Sequence, residues 1–167
     1  MTDTYVECLV KTKARPVMTF LKYLTITLAA LIGVVSLFIL GNFIGFLLAF
    51  ILGVVAYFIS INSEIEYEYL YLDKEISVDK IMSQTRRKKV ATYEVDKMQI
   101  FAPINSYKLD EYKNQDFKVI DYSSGIAGQP DQRYVLIYEG QMKVILEPSE
   151  KLVKAVYNVA PRKVFTN

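Results

Sequence analysis

The chain has 167 residues, 52% of them hydrophobic, with a formal charge of +2; that is room for one ordinary domain plus a membrane anchor. One cysteine (Cys8) and no histidine exclude an internal disulfide and a cysteine-rich zinc site, and remove the commonest general base near neutral pH. Residues 64–167 carry 16 Lys/Arg and 16 Asp/Glu, a balance with no broad attraction for a phosphate backbone, so nucleic acid is not an expected partner.

Residues 1–19 read as a cytoplasmic N-terminal arm. Its stretch 5–10 is apolar enough to dock on a membrane or to add to a sheet. Cys8 has Lys11 and Lys13 close by in sequence, a setting that can activate a thiol, but a buried, inert cysteine is the plainer reading.

A transmembrane helical hairpin is expected over residues 20–62. From Tyr23 to Ser63 there are 41 residues without a charged side chain. As one helix they would measure about 60 Å, at 1.5 Å per residue. The hydrocarbon core is only about 30 Å thick. Two spans therefore fit, at about 20–40 and 43–61, with the break at Gly41-Asn42. A signal peptide is too short to account for the run, and a domain this small cannot enclose two helices that are apolar all round. Lys11, Lys13, Arg15 and Lys22 flank the first span while the turn is uncharged. Positive-inside reasoning then gives a multi-pass protein of the cytoplasmic membrane with both termini in the cytoplasm. Gly41, Gly45, Ala49 and Gly53 recur every four residues, a small-residue face on which another helix can approach closely. It serves either the first span, near Ala29 and Gly33, or a second copy or partner subunit. The charge-free run argues against a proton relay or a charged filter.

Residues 63–167 read as a cytoplasmic domain. Glu64, Glu66 and Glu68 alternate with Ile65, Tyr67, Tyr69 and Tyr71, the period of a half-buried strand. The three carboxylates could face a hard cation, yet same-face residues of a strand lie about 7 Å apart, so a solvated face is expected. Asp73-Lys74 is a tight turn, and residues 76–79 alternate as the second arm. The basic run Arg86, Arg87, Lys88 and Lys89 reads as a turn that either contacts anionic lipid or an acidic partner, or is simply solvated and blocks edge pairing. Short strands follow at 90–94 and 97–102, with Pro103 ending the run. Residues 104–116 suit a loop or short helix, 117–122 alternate again, and 123–131 are loop. Residues 134–139 and 141–147 flank Gly140 as a hairpin. Pro148 and Ser149 open a helix whose buried face would hold Leu152, Val153, Val156 and Tyr157, and Pro161 stops it. Most of the ten tyrosines from Tyr67 onward are expected in core and cross-strand packing.

The fold class that follows is an α+β membrane protein: a transmembrane α-hairpin, then about seven antiparallel strands bent toward a barrel or sandwich and capped by a C-terminal helix. The segments Tyr67-Glu-Tyr-Leu-Tyr-Leu-Asp73, Ile76-Ser-Val-Asp-Lys80 and Arg86-Arg-Lys-Lys89 resemble the opening of bacterial membrane proteins that carry a pleckstrin-homology-like (PH-like) domain. Tyr5-Val-Glu-Cys-Leu-Val-Lys11, Leu146-Glu-Pro-Ser-Glu-Lys-Leu-Val-Lys-Ala155 and Ala160-Pro-Arg-Lys163 are similar to a narrower group of small, clostridial-type membrane proteins. The resemblance implies a fold and no catalytic residues. It implies basic residues around the first hairpin turn in lipid-binding relatives, whereas Leu72-Asp-Lys-Glu75 is partly acidic. No nucleophile with an activating base, metal set or phosphate loop stands out, Asp121-Tyr-Ser-Ser-Gly125 included. The expectation is a non-enzymatic, membrane-tethered interaction module without cofactor or metal. Its partners are the lipid bilayer and either a membrane protein or a second copy; the alternative is an accessory subunit of a larger membrane complex.

Overall fold

The computed structural model of the chain describes residues 5–13, 16–40 and 43–166. The expected break at Gly41-Asn42, and Arg15 among the flanking cations, lie outside the described residues. Two units are present. One holds residues 14–65 with the short segment 82–86, and the other holds the remainder.

The helical unit begins four residues before the expected span. Helix α1 runs Pro16–Val35 and continues as a π-helical stretch, Ser36–Leu40; helix α2 runs Phe43–Ser63. Proline suits the first helical position because its missing N–H is an orphan there anyway. By length and composition Pro16–Phe38 and Phe43–Ile61 can each cross a bilayer, and few of their residues are buried in the fold. Hydroxyls of α1 and of the π-helical stretch return their protons to helix carbonyls: Thr25 Oγ1 donates to Leu21 O (2.8 Å), Thr27 Oγ1 to Tyr23 O (2.8 Å) and Ser36 Oγ to Ile32 O (2.7 Å). No polar hydrogen of these side chains is then left facing an apolar medium.

Among the described residues the sheet unit has eight strands rather than seven, because the N-terminal arm supplies one. β1 (Val6–Lys11), β2 (Ile65–Leu72), β3 (Glu75–Met82) and β4 (Arg86–Glu94) form one sheet in that order. β5 (Met98–Pro103), β7 (Tyr134–Tyr138), β8 (Met142–Leu146) and β6 (Lys118–Asp121) form the other, and β6 runs parallel to β8. The two sheets stay separate and close no barrel. β1 lies antiparallel to β2 in an unbroken register from Val6↔Tyr71 to Lys11↔Glu66. The two apolar helices are thus inserted in the connection between neighbouring strands.

Tight turns join the meander. Asp73 and Lys74 (φ +50° and +64°), Ser83 and Gln84 (+47° and +56°), and Glu139 and Gly140 (+51° and +67°) are consecutive left-handed pairs. That handedness matches the twist of the strands it connects. At Gly140 a Cβ would also come within 3.1 Å of Gln99 Nε2, so glycine serves there for space as well as for φ.

Tyr69, Tyr71, Ile76, Val78, Tyr93, Phe101, Leu136, Leu146 and Val156 belong to the main core. A second cluster, Ile100, Ala102, Leu109, Val135 and Ile137, lies on the other side of the second sheet, next to the 3-10 segment Tyr107–Tyr112. β7 is therefore buried on both faces, which is why Tyr-Val-Leu-Ile-Tyr shows no alternation. Helix α3 (Glu150–Val159) is capped by Ser149 Oγ, which accepts from Leu152 N (3.4 Å), and buries Leu152, Val153, Ala155 and Val156. Tyr157 is 45% exposed, contrary to the expected face; the small Ala155 is buried instead. Beyond α3 the chain returns to β5: Phe101 N donates to Lys163 O (2.8 Å), and Phe165 N to Phe101 O (2.9 Å).

Candidate functional site

The four cations Arg86, Arg87, Lys88 and Lys89 open strand β4 and are not a turn; the turn is Ser83-Gln84 before them. Successive side chains of a strand point to opposite faces, so four adjacent charges cannot collect on one face. All four residues are exposed, but they are not equivalent. Arg87 Nη2 lies 2.8 Å from both carboxylate oxygens of Glu68, whose side chain is only 3% exposed, and donates to Oε1. Among the described residues Arg86, Lys88 and Lys89 form no ion pair.

Glu66 and Glu68 do not form the solvated face expected of them. Both are buried, as is Asp79 on β3. Lys11 Nζ stands 3.3 Å from Glu66 Oε1, as Arg87 does over Glu68. Long side chains from β1 and β4 thus reach the carboxylates of β2, which a reading of β2 by itself could not anticipate. Burial raises the Glu68 carboxyl above its ordinary range, a hydrogen bond with Glu7 adds to this, and the Arg87 guanidinium opposes it. No group of three metal-ligating side chains occurs among the described residues.

The segment just before the basic strand is tied to the end of α2. Ser83 N donates to Glu64 O (3.0 Å), and Ser83 Oγ to Ile61 O (3.2 Å), with Ser60 O at 3.5 Å. A helix leaves its last four carbonyls without intrahelical donors. The β3–β4 turn supplies donors to carbonyls at this end. Sequence reasoning missed Ser83, and nothing in the local pattern marks it, since its partners lie about twenty residues away.

The expected small-residue face divides. A Cβ on Gly45 would come within 2.8 Å of Ser36 Cβ, and Ala49 Cβ lies 3.9 Å from the Cβ position of Gly33, so both face α1; around Gly53 nothing lies within 4 Å. Gly45, Ala49, Leu52 and Ala56 are covered in whole or part, whereas Gly53 is exposed. Contacts between helices recur every 3.5 residues on average, so a four-residue stripe drifts off the seam by its third member.

The remaining candidates carry less. Cys8 is half-buried on β1, with Sγ 3.9 Å from Glu147 O. Tyr69, Tyr71, Tyr93 and Tyr138 are buried, and Tyr93 stacks edge-on against Tyr138. Tyr69 OH donates to Tyr122 O (2.6 Å) and accepts from Glu147 N (3.2 Å); burial pushes its hydroxyl well above the usual tyrosine range. In the 123–131 loop, Asp121 Oδ1 accepts from Ser123 N and Oγ (2.8 and 2.7 Å), so that carboxylate is engaged in shaping the loop. An open groove of about 680 Å³ is lined by Pro130, Asp131, Tyr134, Ser149, Val153 and Lys154 among others. Arg133 Nη2, 2.6 Å from Asp131 Oδ2, holds the Asp131 carboxyl below its ordinary range.

Two sheets, a C-terminal helix and two apolar helices inserted after the first strand make up the described architecture. The family model described as Bacterial PH-like domain (DUF6106) matches residues 2–166. The chain belongs to this family. The match takes in the apolar helices together with the sheets. No curated protein and no solved structure matches the chain.

Proposed function

We propose that this PH-like protein is a non-enzymatic interaction module tethered at the inner face of the cytoplasmic membrane. The observation that carries the reading is the β1–β2 ladder, Val6↔Tyr71 to Lys11↔Glu66. Strands that share hydrogen bonds lie in one compartment, so the chain between them crosses a bilayer an even number of times. Two helices of spanning length stand in that connection, and Lys11, Lys13 and Lys22 lie at the same end of it, which favours a cytoplasmic sheet unit. Such a tether confines the module to two dimensions and raises its effective concentration for other membrane components.

The alternative, an accessory subunit assembled through the helices, is favoured at one point only: Gly53 has open space around it. Epitope tags on the two termini, probed with protease in intact spheroplasts and after lysis, test the main reading. Both tags should be protected until lysis, and the protein should resist extraction by alkaline carbonate. Tags on opposite sides, or release without detergent, would refute it.

A further inference from the structure

We propose that a proton fastens strand β1 to the first sheet: Glu68 carries it on Oε2 and donates it to the Glu7 carboxylate, and its loss lets β1 come away. The device lies wholly in the sheet unit and does not depend on the membrane tether.

The register brings the two carboxyl groups together. Leu9 stands opposite Glu68 and Glu7 opposite Leu70. Glu7 is therefore the diagonal neighbour of Glu68 on one face of the antiparallel pair, within reach of side chains of this length. The two share a hydrogen bond. Ionised carboxylates only accept, so a bond between two of them requires that one holds a proton. The Glu68 side chain is 3% exposed, and its Oε1 accepts from Arg87 Nη2 (2.8 Å). The same nitrogen lies 2.8 Å from Oε2, yet no protein donor is directed at Oε2. An enclosed acceptor without a donor is costly, and a proton placed on it makes it a donor instead. Glu7 is exposed and accepts from the Tyr5 hydroxyl (3.1 Å), as suits the ionised partner.

Charge gives the link its sign. With the proton in place, Glu7 and Glu68 carry one negative charge between them, against the single guanidinium of Arg87. Without it they carry two, and the buried Asp79 of β3 adds a third. Lys11 does not offset this, because it stands over Glu66, at 3.3 Å. Of the three carboxylates only Glu7 lies on a strand with a single neighbour in the sheet, so parting β1 from β2 relieves the repulsion. Burial holds the Glu68 carboxyl above its ordinary 4.5. Docking is therefore firmest at low pH and weakens as pH rises through the raised value.

The chain's single cysteine supplies the probe. Cys8 is half-buried on β1, on the face opposite to Glu7. In the detergent-solubilised full-length protein, its alkylation rate by N-ethylmaleimide is divided by that of the urea-unfolded chain at the same pH, which cancels the ionisation of the thiol. Infrared spectra record the C=O stretch of a protonated carboxyl in parallel. The parent should keep that band above the ordinary glutamate range, and Glu68→Gln should lack it. Protection of Cys8 should fall about tenfold per pH unit as the band disappears, one proton being linked to opening. Glu68→Gln keeps a donor at the same place and should hold the strand at every pH. Glu7→Gln, at an exposed position, should move loss of the band to lower pH, and it carries the test if Glu68→Gln does not fold. A parent without the band above the ordinary range, or a band undiminished in Glu68→Gln, refutes the proton. A band that disappears while Cys8 protection stays constant refutes the fastening, since the carboxyl then titrates without moving the strand.

Discussion

At the scale of single residues, the four adjacent cations of β4 are not equivalent. Arg87 neutralises a carboxylate that the fold has enclosed, and removing one member of a buried pair leaves the other without compensation. Arg87→Ala should therefore cost about 2 kcal/mol, discounted for an arginine that is itself half exposed. Lys88→Ala and Lys89→Ala should stay within about 0.5 kcal/mol. Urea unfolding of the detergent-solubilised protein checks both. Glu68 gives this region a pH signature. Between the ordinary glutamate value of 4.5 and its own raised value, the folded chain keeps a proton that the unfolded chain has lost. Stability therefore falls as pH rises through that window. Glu68→Gln should flatten the slope there, and an unchanged profile in that variant would assign the slope to another group.

At the scale of elements, the helix seam shows how far a residue pattern can be read. Gly45 and Ala49 were recognisable as contact positions because small side chains at a spacing of four mark close approach. Gly53 satisfies the same rule and lies in open space, since the spacing carries no information about where the seam drifts. Gly45→Leu should force Ser36 and α1 away and destabilise the helix pair by about 1–3 kcal/mol. Gly53→Leu should leave the pair intact. Unfolding in mixed micelles, followed by a distance label on each helix, measures both. Among the strands, β2, β3, β7 and β8 were legible from alternation or from a hairpin around Gly140. Arg86–Lys89 was not legible as strand, because lysine and arginine carry little β preference and the sheet supplies the reason for extension. The apolar segment 5–10 suits a membrane surface as well as a sheet, because its partner strand lies beyond the entire helical insertion. The parallel pairing of β6 with β8 left no mark in either segment.

At the scale of the whole molecule, two apolar helices, a charge-balanced domain and the absence of histidine are all legible in composition. The number of strands and the openness of the sheets depended on long-range pairing. The feature with the widest reach is the insertion of α1 and α2 between two strands that share a ladder. It also sets an order of assembly. Residues Val6–Lys11 leave the ribosome first, and their partner emerges only after both apolar helices have been made. The other three strands of that sheet follow one another through turns of two and three residues and can close locally and fast. The first ladder is a long-range closure that, on the proposed tether, waits for membrane insertion. Until then its strand is an unprotected edge, and Glu7 and Lys11 are the charges that keep such an edge from pairing with the wrong chain. If the tether is as proposed, completion of the sheet is in this way a check that the chain has entered the bilayer and come back.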